Sequence, residues 1–169
     1  RRKVLAVLLS FLAMSLMAVS SVNVALPAIE DGLGAGGGDL QWVLSGYALV
    51  FGITLVPAGR TGDAVGRGAF FVLGVVVFML ASVACGLAPN PMVLNIARLA
   101  QGVGAGMVNP QITGMIQQYF TGPARGTAFG WFGLVISASV AVGPLVTGSM
   151  IAAFGPDVGW RASFLVNMP

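Results

Sequence analysis

The stretch AFFVLGVVVFMLASVACGLA, residues Ala69–Ala88, holds 20 residues without a charge and decides the fold class. About 20 apolar residues suffice for an α-helix to cross a bilayer. Comparable runs lie on both sides of it, at residues 4–27, 40–58, 92–119 and 127–154, and a further run starts at 162–169. The sequence therefore predicts an all-α membrane protein. We expect one transmembrane domain over residues 1–169, with five complete spans and the start of a sixth.

The charged residues alternate in sign between the gaps that separate these runs. Hydrophobic residues make up 57% of the chain and charged residues 8%, whereas soluble domains carry about 25% charged residues. Basic residues dominate one set of gaps, at Arg1, Arg2, Lys3, Arg60, Arg67 and Arg125. Acidic residues dominate the other set, at Glu30, Asp31, Asp39 and Asp157. Because cytoplasmic loops are enriched in Lys and Arg, we expect a multi-pass plasma-membrane protein with a cytoplasmic amino terminus.

The composition argues against several other classes of protein. The net charge of +3 comes from basic residues scattered over separate gaps, which does not suggest nucleic-acid binding. The chain has no histidine and a single cysteine, Cys85, which we interpret as a packing residue. The sequence shows no nucleophile–base pair, metal-ligand cluster or phosphate loop, so we expect neither an enzyme nor a bound cofactor. The run from Val4 is too long for the apolar part of a signal peptide and is interpreted as a retained span.

Arg98 is the one charged residue inside a predicted span. A charge at that depth costs about 3 kcal/mol on insertion scales and usually faces a cavity or a partner. At 3.6 residues per turn, Gln101, Ala105 and Asn109 share its helix face. This polar stripe predicts a cavity, and snorkelling of Arg98 to the outer headgroups is the alternative.

The segment GRTGDAVGR, Gly59–Arg67, is predicted to be a cytoplasmic loop between two spans. Its glycines permit a tight turn. Asp63 can approach a helix amino terminus or pair with Arg60 and Arg67. A charged turn without a further function is the alternative interpretation.

In the fifth run, Gly143 and Pro144 are followed by Thr147 and Gly148. Proline in a helix interior removes a backbone hydrogen bond and bends the helix. The pattern indicates either a functional bend or close packing of small residues against a neighbouring helix.

The first run carries Ser20, Asn23 and Pro27 at helical spacing. Two interpretations of Asn23 stay open, a contact to a substrate and a bridge to another helix. The sequence places no carboxylate inside any complete span, which restricts any proton-transfer mechanism.

Five motifs follow one another along the whole chain. They are SVNVALP at Ser21–Pro27, GRTGDAVGR at Gly59–Arg67, RLAQGVGAG at Arg98–Gly106, GPLVTG at Gly143–Gly148 and GWRASFLVNMP at Gly159–Pro169. Together they resemble the major facilitator superfamily, and specifically its fourteen-span drug:proton antiporters. The resemblance implies the amino-terminal helical bundle of such a transporter, without most of span six and without the carboxy-terminal half.

The resemblance also implies roles for the matched positions. Arg98 would take part in proton coupling. A cytoplasmic latch, which stabilises one access state, would be formed by Gly59, Asp63, Gly66 and Arg67. The bend of an antiporter helix would be formed by Gly143, Pro144 and Gly148. The candidates for lining the substrate cavity are Ser20, Asn23, Gln101 and Asn109.

The sequence departs from the family pattern at several positions. The first-span aspartate of the family aligns with Ala18. Two basic residues of the loop motif are replaced by Ala64 and Gly68, and Thr147 replaces a glycine of the fifth-span motif. These changes bear on proton coupling and on the strength of the latch, and they leave the predicted fold unaffected.

The function expected from this resemblance is proton-coupled multidrug efflux by alternating access. The expected partners are small amphipathic substrates, the lipid bilayer and the missing carboxy-terminal half, with a proton gradient and no cofactor. Two alternatives stay open. One is a truncated or degenerate half that does not transport, and the other is a related facilitator that works as a uniporter or symporter.

Overall fold

The computed structural model describes residues 2–166, and over that range it consists of six α-helices joined by short turns. They are α1 (Arg2–Leu33), α2 (Gly37–Val65), α3 (Arg67–Gly86), α4 (Pro91–Tyr119), α5 (Pro123–Phe154) and α6 (Pro156–Leu165). The predicted all-α fold class is confirmed.

Proline and asparagine set the starts of the later helices. At the start of α4, the side chain of Asn90 accepts a hydrogen bond of 2.9 Å from the backbone N–H of Val93. Pro91 follows at the first helical position, where its missing N–H leaves no hydrogen bond unmade. Proline also begins α5 and α6, at Pro123 and Pro156.

The predicted loop at Gly59–Gly68 is wrong. α2 continues as a helix to Val65 and α3 begins at Arg67, so only Gly66 lies between them. Gly66 has a φ of 110°, a conformation that glycine adopts without a steric penalty. The polar residues of this segment mark the end of an apolar run, and they do not prevent helical hydrogen bonding beyond the end of that run.

The helix ends differ from the predicted spans at other places as well. α3 ends at Gly86, before the predicted end at Ala88, and α6 begins at Pro156, before the predicted start at Ala162. Residues 167–169 of the predicted sixth span lie outside the described residues. Where each span enters and leaves the bilayer stays a prediction.

Four of the described helices, α1, α2, α3 and α5, are long and apolar enough to cross a bilayer. α4 has 29 residues but carries Arg98, Gln101 and Gln111, which are fully or almost fully buried. α2 and α3 pack against α4 on two sides. These three polar residues of α4 therefore face protein, and a helix in this position does not need a uniformly apolar surface.

Glycines on α4 bring its neighbours close. A Cβ atom added to Gly102 would lie 2.8 Å from the Tyr47 carbonyl oxygen on α2, and one added to Gly104 would lie 2.6 Å from the Phe78 nitrogen on α3. Small residues allow such approach between membrane helices. α1 packs mainly against α5, and α6 packs against α1, α3 and α5.

Candidate functional site

A cavity of about 380 Å³ lies between α1, α2 and α4. The α1 side is lined by Ser15, Leu16, Val19 and Asn23. The α2 side is lined by Leu44, Tyr47, Ala48 and Phe51. Arg98 and Asn109 line the α4 side. Its walls are thus mostly apolar, with a few polar groups, which is the usual composition of a small-molecule site.

Arg98 is held at the edge of this cavity with 1% of its surface exposed. Its Nε donates a hydrogen bond of 3.1 Å to the Val43 carbonyl on α2. Its Nη1 donates a bond of 2.7 Å to the side-chain oxygen of Gln101, one turn further along α4. Arg98 therefore does not snorkel to the headgroups, because its guanidinium is fixed inside the bundle.

Gln101 connects Arg98 to α3. Its side-chain nitrogen donates a hydrogen bond of 2.8 Å to the Ser82 hydroxyl. That hydroxyl in turn donates a bond of 2.9 Å to the carbonyl of Phe78. The chain of bonds spans three helices, so the position of the guanidinium depends on how α2, α3 and α4 pack.

Aromatic rings supply the remaining stabilisation of this charge. The guanidinium carbon lies 4.3 Å from the centre of the Tyr47 ring and 5.9 Å from that of Phe164, both within the range of cation–π attraction. Among residues 2–166, no carboxylate forms a salt bridge with Arg98. Within the described chain the charge is thus held by dipoles and aromatic faces and has no counter-ion.

Sequence reasoning missed Tyr47 and Ser82 as members of this group. Tyr47 lies on α2 and Ser82 on α3, in apolar runs with nothing to mark them as partners of α4. Ser82 is a single hydroxyl in the run Ala69–Ala88, and no periodic signal in the sequence could have identified it.

Of the four residues predicted to line the substrate cavity, two line the cavity described above and two do not. Asn23 and Asn109 line the cavity. Gln101 is fully buried and bonded to Ser82. The hydroxyl of Ser20 donates to the Met17 and Ser139 carbonyls, at 3.3 and 3.4 Å, and so lies at the contact between α1 and α5. A contact of any of the four with a substrate stays a prediction.

Ala18, where the family has an acid, is buried at 1% exposure. It belongs to an apolar cluster that includes Phe11, Phe78 and Ala105. The cavity is therefore without an acidic group on α1.

Two of the predicted latch residues, Gly59 and Asp63, lie in the last turns of α2. The other two, Gly66 and Arg67, form the junction with α3. Asp63 Oδ1 and Arg67 Nη2 are 2.5 Å apart. Arg67 Nη1 also donates a hydrogen bond of 3.2 Å to the Pro110 carbonyl on α4. Gly59 packs at ordinary distance, with its added Cβ 3.7 Å from Pro110 Cβ. This ion pair thus ties the α2–α3 junction to α4.

An open pocket of about 550 Å³ surrounds this ion pair. It is lined by Gly62, Asp63, Gly66, Arg67, Gly114, Gln117, Gln118 and Arg125. Arg125 donates to the Phe120 and Gln117 carbonyls, at 2.9 and 3.1 Å, and so closes the turn between α4 and α5.

The predicted bend residues lie where α5 packs against α1. Gly143 is buried, and its carbonyl accepts a hydrogen bond of 3.1 Å from the Ser21 hydroxyl. α5 runs without interruption through Pro144 to Phe154. Gly148 leaves room for Val24, whose Cγ1 lies 4.0 Å from an added Cβ. Close packing against α1 is therefore present, and a functional bend stays a prediction.

Comparison with known proteins extends this description. A sequence model described as "Major Facilitator Superfamily" matches residues 5–169. A probable actinorhodin transporter of Streptomyces coelicolor is 40% identical over 165 residues, which cover 98% of this chain and 28% of that protein. The tetracenomycin C resistance and export protein of Streptomyces glaucescens is 33% identical over 148 residues, 88% of this chain and 27% of that protein.

A puromycin resistance protein of Streptomyces alboniger is also similar, with 40% identity over 149 residues. Those residues cover 88% of this chain and 29% of that protein. This chain thus spans less than a third of the length of the relatives that it matches.

Solved structures share the fold. A bacterial homologue of the human lysosomal transporter Spinster, in an inward-facing and occupied conformation, superposes with a TM-score of 0.77 at 19% identity. The match covers 98% of this chain and 41% of that one. The structure of tetrameric PepTSo2 gives a TM-score of 0.69 at 19% identity, and the match covers 95% of this chain and 37% of that one. From its motifs, its helices and these matches, the chain belongs to the Major Facilitator Superfamily and is a multi-pass membrane protein.

Proposed function

We propose that this chain is part of a transporter that exports small amphipathic molecules by alternating access, coupled to a proton gradient. The observation that carries the proposal is the guanidinium of Arg98, which is bonded to α2 and to Gln101 of α4 beside a mostly apolar cavity, with Gln101 in turn bonded to α3. The printed functions of the relatives, which include antibiotic resistance and export, support the direction of transport. The length that the relatives have beyond this match would supply the opposing wall of the pathway, as a carboxy-terminal half.

Arg98 would contribute to proton coupling through the electrostatic potential of its positive charge. A guanidinium stays protonated in proteins, so Arg98 itself does not carry the transported proton. Its positive charge instead lowers the affinity of the cavity for further cations and raises it for anions. Because the guanidinium is bonded to α2 and, through Gln101, to α3, a change in helix packing would move this charge relative to the cavity.

The latch would act at the cytoplasmic end. The pair of Asp63 and Arg67 holds the α2–α3 junction against the Pro110 carbonyl. We propose that this junction stabilises one access state, together with Gly59 and Gly66, by docking against the missing half.

The orientation in the plasma membrane is part of the same proposal. Arg2 and Lys3 begin α1, Arg67 begins α3, and Arg125 lies in the first turn of α5. The acidic Asp39 and Asp157 lie in the first turns of α2 and α6. Helices joined by short turns alternate in direction, so the basic groups lie at one end of the bundle, which would face the cytoplasm.

Transport of a fluorescent amphipathic probe into inside-out vesicles tests the function. The vesicles contain the full-length protein, and a proton gradient is imposed and then collapsed with a protonophore. We expect uptake that stops when the gradient is collapsed. We also expect Arg98→Ala to abolish gradient-driven uptake at a near-normal level of protein in the membrane.

The variant Arg98→Lys keeps the positive charge and serves as a control in case Arg98→Ala fails to fold. Lysine cannot reproduce the fork that donates to Val43 and Gln101, so we expect uptake to fall while insertion is retained. Full gradient-driven uptake by both variants, at equal protein levels, would refute the role of Arg98.

Uniport is a second candidate function, because Ala18 lies where the family has an acid and the described part of the cavity has no carboxylate. An ionophore pair separates the two candidates. Valinomycin with potassium removes the membrane potential, and nigericin removes the pH gradient. Loss of uptake with nigericin alone favours proton antiport, and loss with valinomycin alone favours electrogenic uniport.

A further inference from the structure

We infer that this cavity selects amphipathic aromatic molecules that carry a carboxylate, phenolate or enolate, and that it rejects lipophilic cations. The inference rests on the proposed function and specifies its substrate class. It starts from the charges that face the cavity, from the Arg98 donors that have no acceptor among residues 2–166 and from the shape of the walls.

Among the described residues that line the cavity, Arg98 is the only one with a charge. Over residues 2–166 the carboxylates lie near helix ends, as with Glu30 and Asp31 on α1, Asp39 on α2 and Asp157 on α6. An apolar enclosure weakens screening, so a single uncompensated positive charge sets the sign of the potential there. A cation would enter against this potential, and an anion would be attracted by it.

The guanidinium of Arg98 retains hydrogen-bonding capacity. A guanidinium has five N–H donors, and within the described chain one bond leaves Nε for Val43 and one leaves Nη1 for Gln101. The remaining N–H groups have no protein acceptor among residues 2–166. Two oxygens of one planar anionic group match adjacent donors of a guanidinium, which is the strongest form of hydrogen bonding available to it.

The walls favour a flat aromatic body. The rings of Tyr47 and Phe51 lie 6.1 Å apart and are nearly parallel, with 7° between their planes. Both rings line the cavity, together with the apolar Leu16 and Leu44. The amides of Asn23 and Asn109 add hydrogen-bonding groups without charge. A planar ring system with an ionised oxygen would place its body against the rings and its charge at Arg98.

Two probes of the same shape and opposite charge test the inference. Fluorescein is anionic and rhodamine 123 is cationic, and both are built on a xanthene ring with a phenyl substituent. Their binding to the full-length protein in detergent is measured by fluorescence anisotropy, with no gradient present. We expect the dissociation constant of fluorescein to be at least about tenfold lower, as one charge-assisted hydrogen bond gives. Equal binding, tighter binding of rhodamine 123, or binding of neither probe would overturn the inference.

A matched pair of variants locates the effect. Asn23→Asp changes one atom type in an exposed cavity residue that makes no hydrogen bond within the described chain, so the fold should tolerate it. We expect it to reduce the preference for fluorescein by about tenfold. Gln41→Glu makes the same change in charge on an exposed residue in the first turns of α2, outside the cavity, and should leave the preference unchanged. An unchanged preference in Asn23→Asp, or an equal loss in both variants, would refute the site.

The binding assay separates this inference from the proposed function. If fluorescein binds selectively but no gradient-driven uptake occurs, the proposed function fails and the inference about the cavity stands. If uptake occurs with a preference for rhodamine 123, the transporter assignment stands and the inference fails.

Discussion

The substitution Gly104→Ala would test the closest approach between α3 and α4. An added Cβ would lie 2.6 Å from the nitrogen of Phe78 and 2.8 Å from its Cα. Ordinary contact begins near 3.4 Å, so α3 would have to move away by about 0.8 Å. Both clashing atoms belong to the backbone of Phe78, and a change of side-chain rotamer cannot relieve them.

The displacement would also reach the Arg98 network. Ser82 lies one turn after Phe78 on α3, and Gln101 lies one turn before Gly104 on α4. Their hydrogen bond is 2.8 Å long, and a rigid shift of α3 would lengthen it to about 3.6 Å, which is no longer a hydrogen bond. Overpacking costs about 1–3 kcal/mol and the lost bond about 0.5–1.5 kcal/mol, so we expect the free energy of unfolding to fall by about 1.5–4.5 kcal/mol.

Unfolding of the purified full-length protein in mixed detergent micelles, followed by tryptophan fluorescence during titration with dodecyl sulfate, measures this loss. Gly52→Ala is the matched control, because its Cβ would meet no described atom within 4 Å, and it should lie within about 1 kcal/mol of the wild type. Shortening Phe78 to alanine in the Gly104→Ala background should not restore stability, because the backbone clash persists. A free energy of unfolding for Gly104→Ala within about 0.5 kcal/mol of the wild type would refute the reasoning, since that is the range of neutral surface substitutions.

Two further glycines give predictions with matched controls. Gly143→Ala should lower the free energy of unfolding by about 1–3 kcal/mol, because its Cβ would clash with a serine hydroxyl and lie 3.2 Å from a backbone carbonyl of α1. Gly148→Ala, whose Cβ meets its nearest neighbour at 4.0 Å, should be close to neutral, and equal losses would contradict this account of α5. Gly114→Ala should displace the Arg67 guanidinium, whose Nη1 occupies the space of the added Cβ, and should speed tryptic cleavage after Arg67 in inside-out vesicles. Gly126→Ala has no described neighbour at its Cβ and should leave that cleavage rate unchanged, and the same rate in Gly114→Ala would refute the contact.

The number and order of helices followed from the sequence, and their ends did not. An apolar run such as Ala69–Ala88 must be long enough to cross a bilayer, which fixes how many helices there are. Helical hydrogen bonding does not stop where hydropathy stops, and α2 therefore continues through Arg60 and Asp63 to Val65. The junction lies at Gly66, whose φ of 110° is a conformation that favours glycine. Several glycines lie close together in this segment, and the sequence does not show which of them forms the junction.

The sequence predicted some residues of the candidate site but not their partners on other helices. The position of Arg98 inside an apolar run predicted its burial, and the helical period predicted Gln101 beside it. The period cannot say which neighbouring helix a face meets. Ser20 has the spacing of a polar face of α1 but lies against α5, whereas Ser82 has no pattern at all and lies in the network. Such partners depend on the packing of separate helices, which a single sequence does not encode in any local pattern.

The energetics of Arg98 support the proposal that its charge serves transport and does not serve stability. Burying a guanidinium costs several kcal/mol, and hydrogen bonds to Val43 and Gln101 with the face of Tyr47 offset only part of that cost. An apolar side chain of similar volume at this position would avoid that cost, but it would leave the Val43 carbonyl and the Gln101 side-chain oxygen without this donor. The charge therefore contributes little net stability to the fold, and its other physical effect is the positive potential that it gives to the adjoining cavity. That potential acts on whatever enters the cavity, and for this reason the charge of the ligand is the property that this cavity is best able to select.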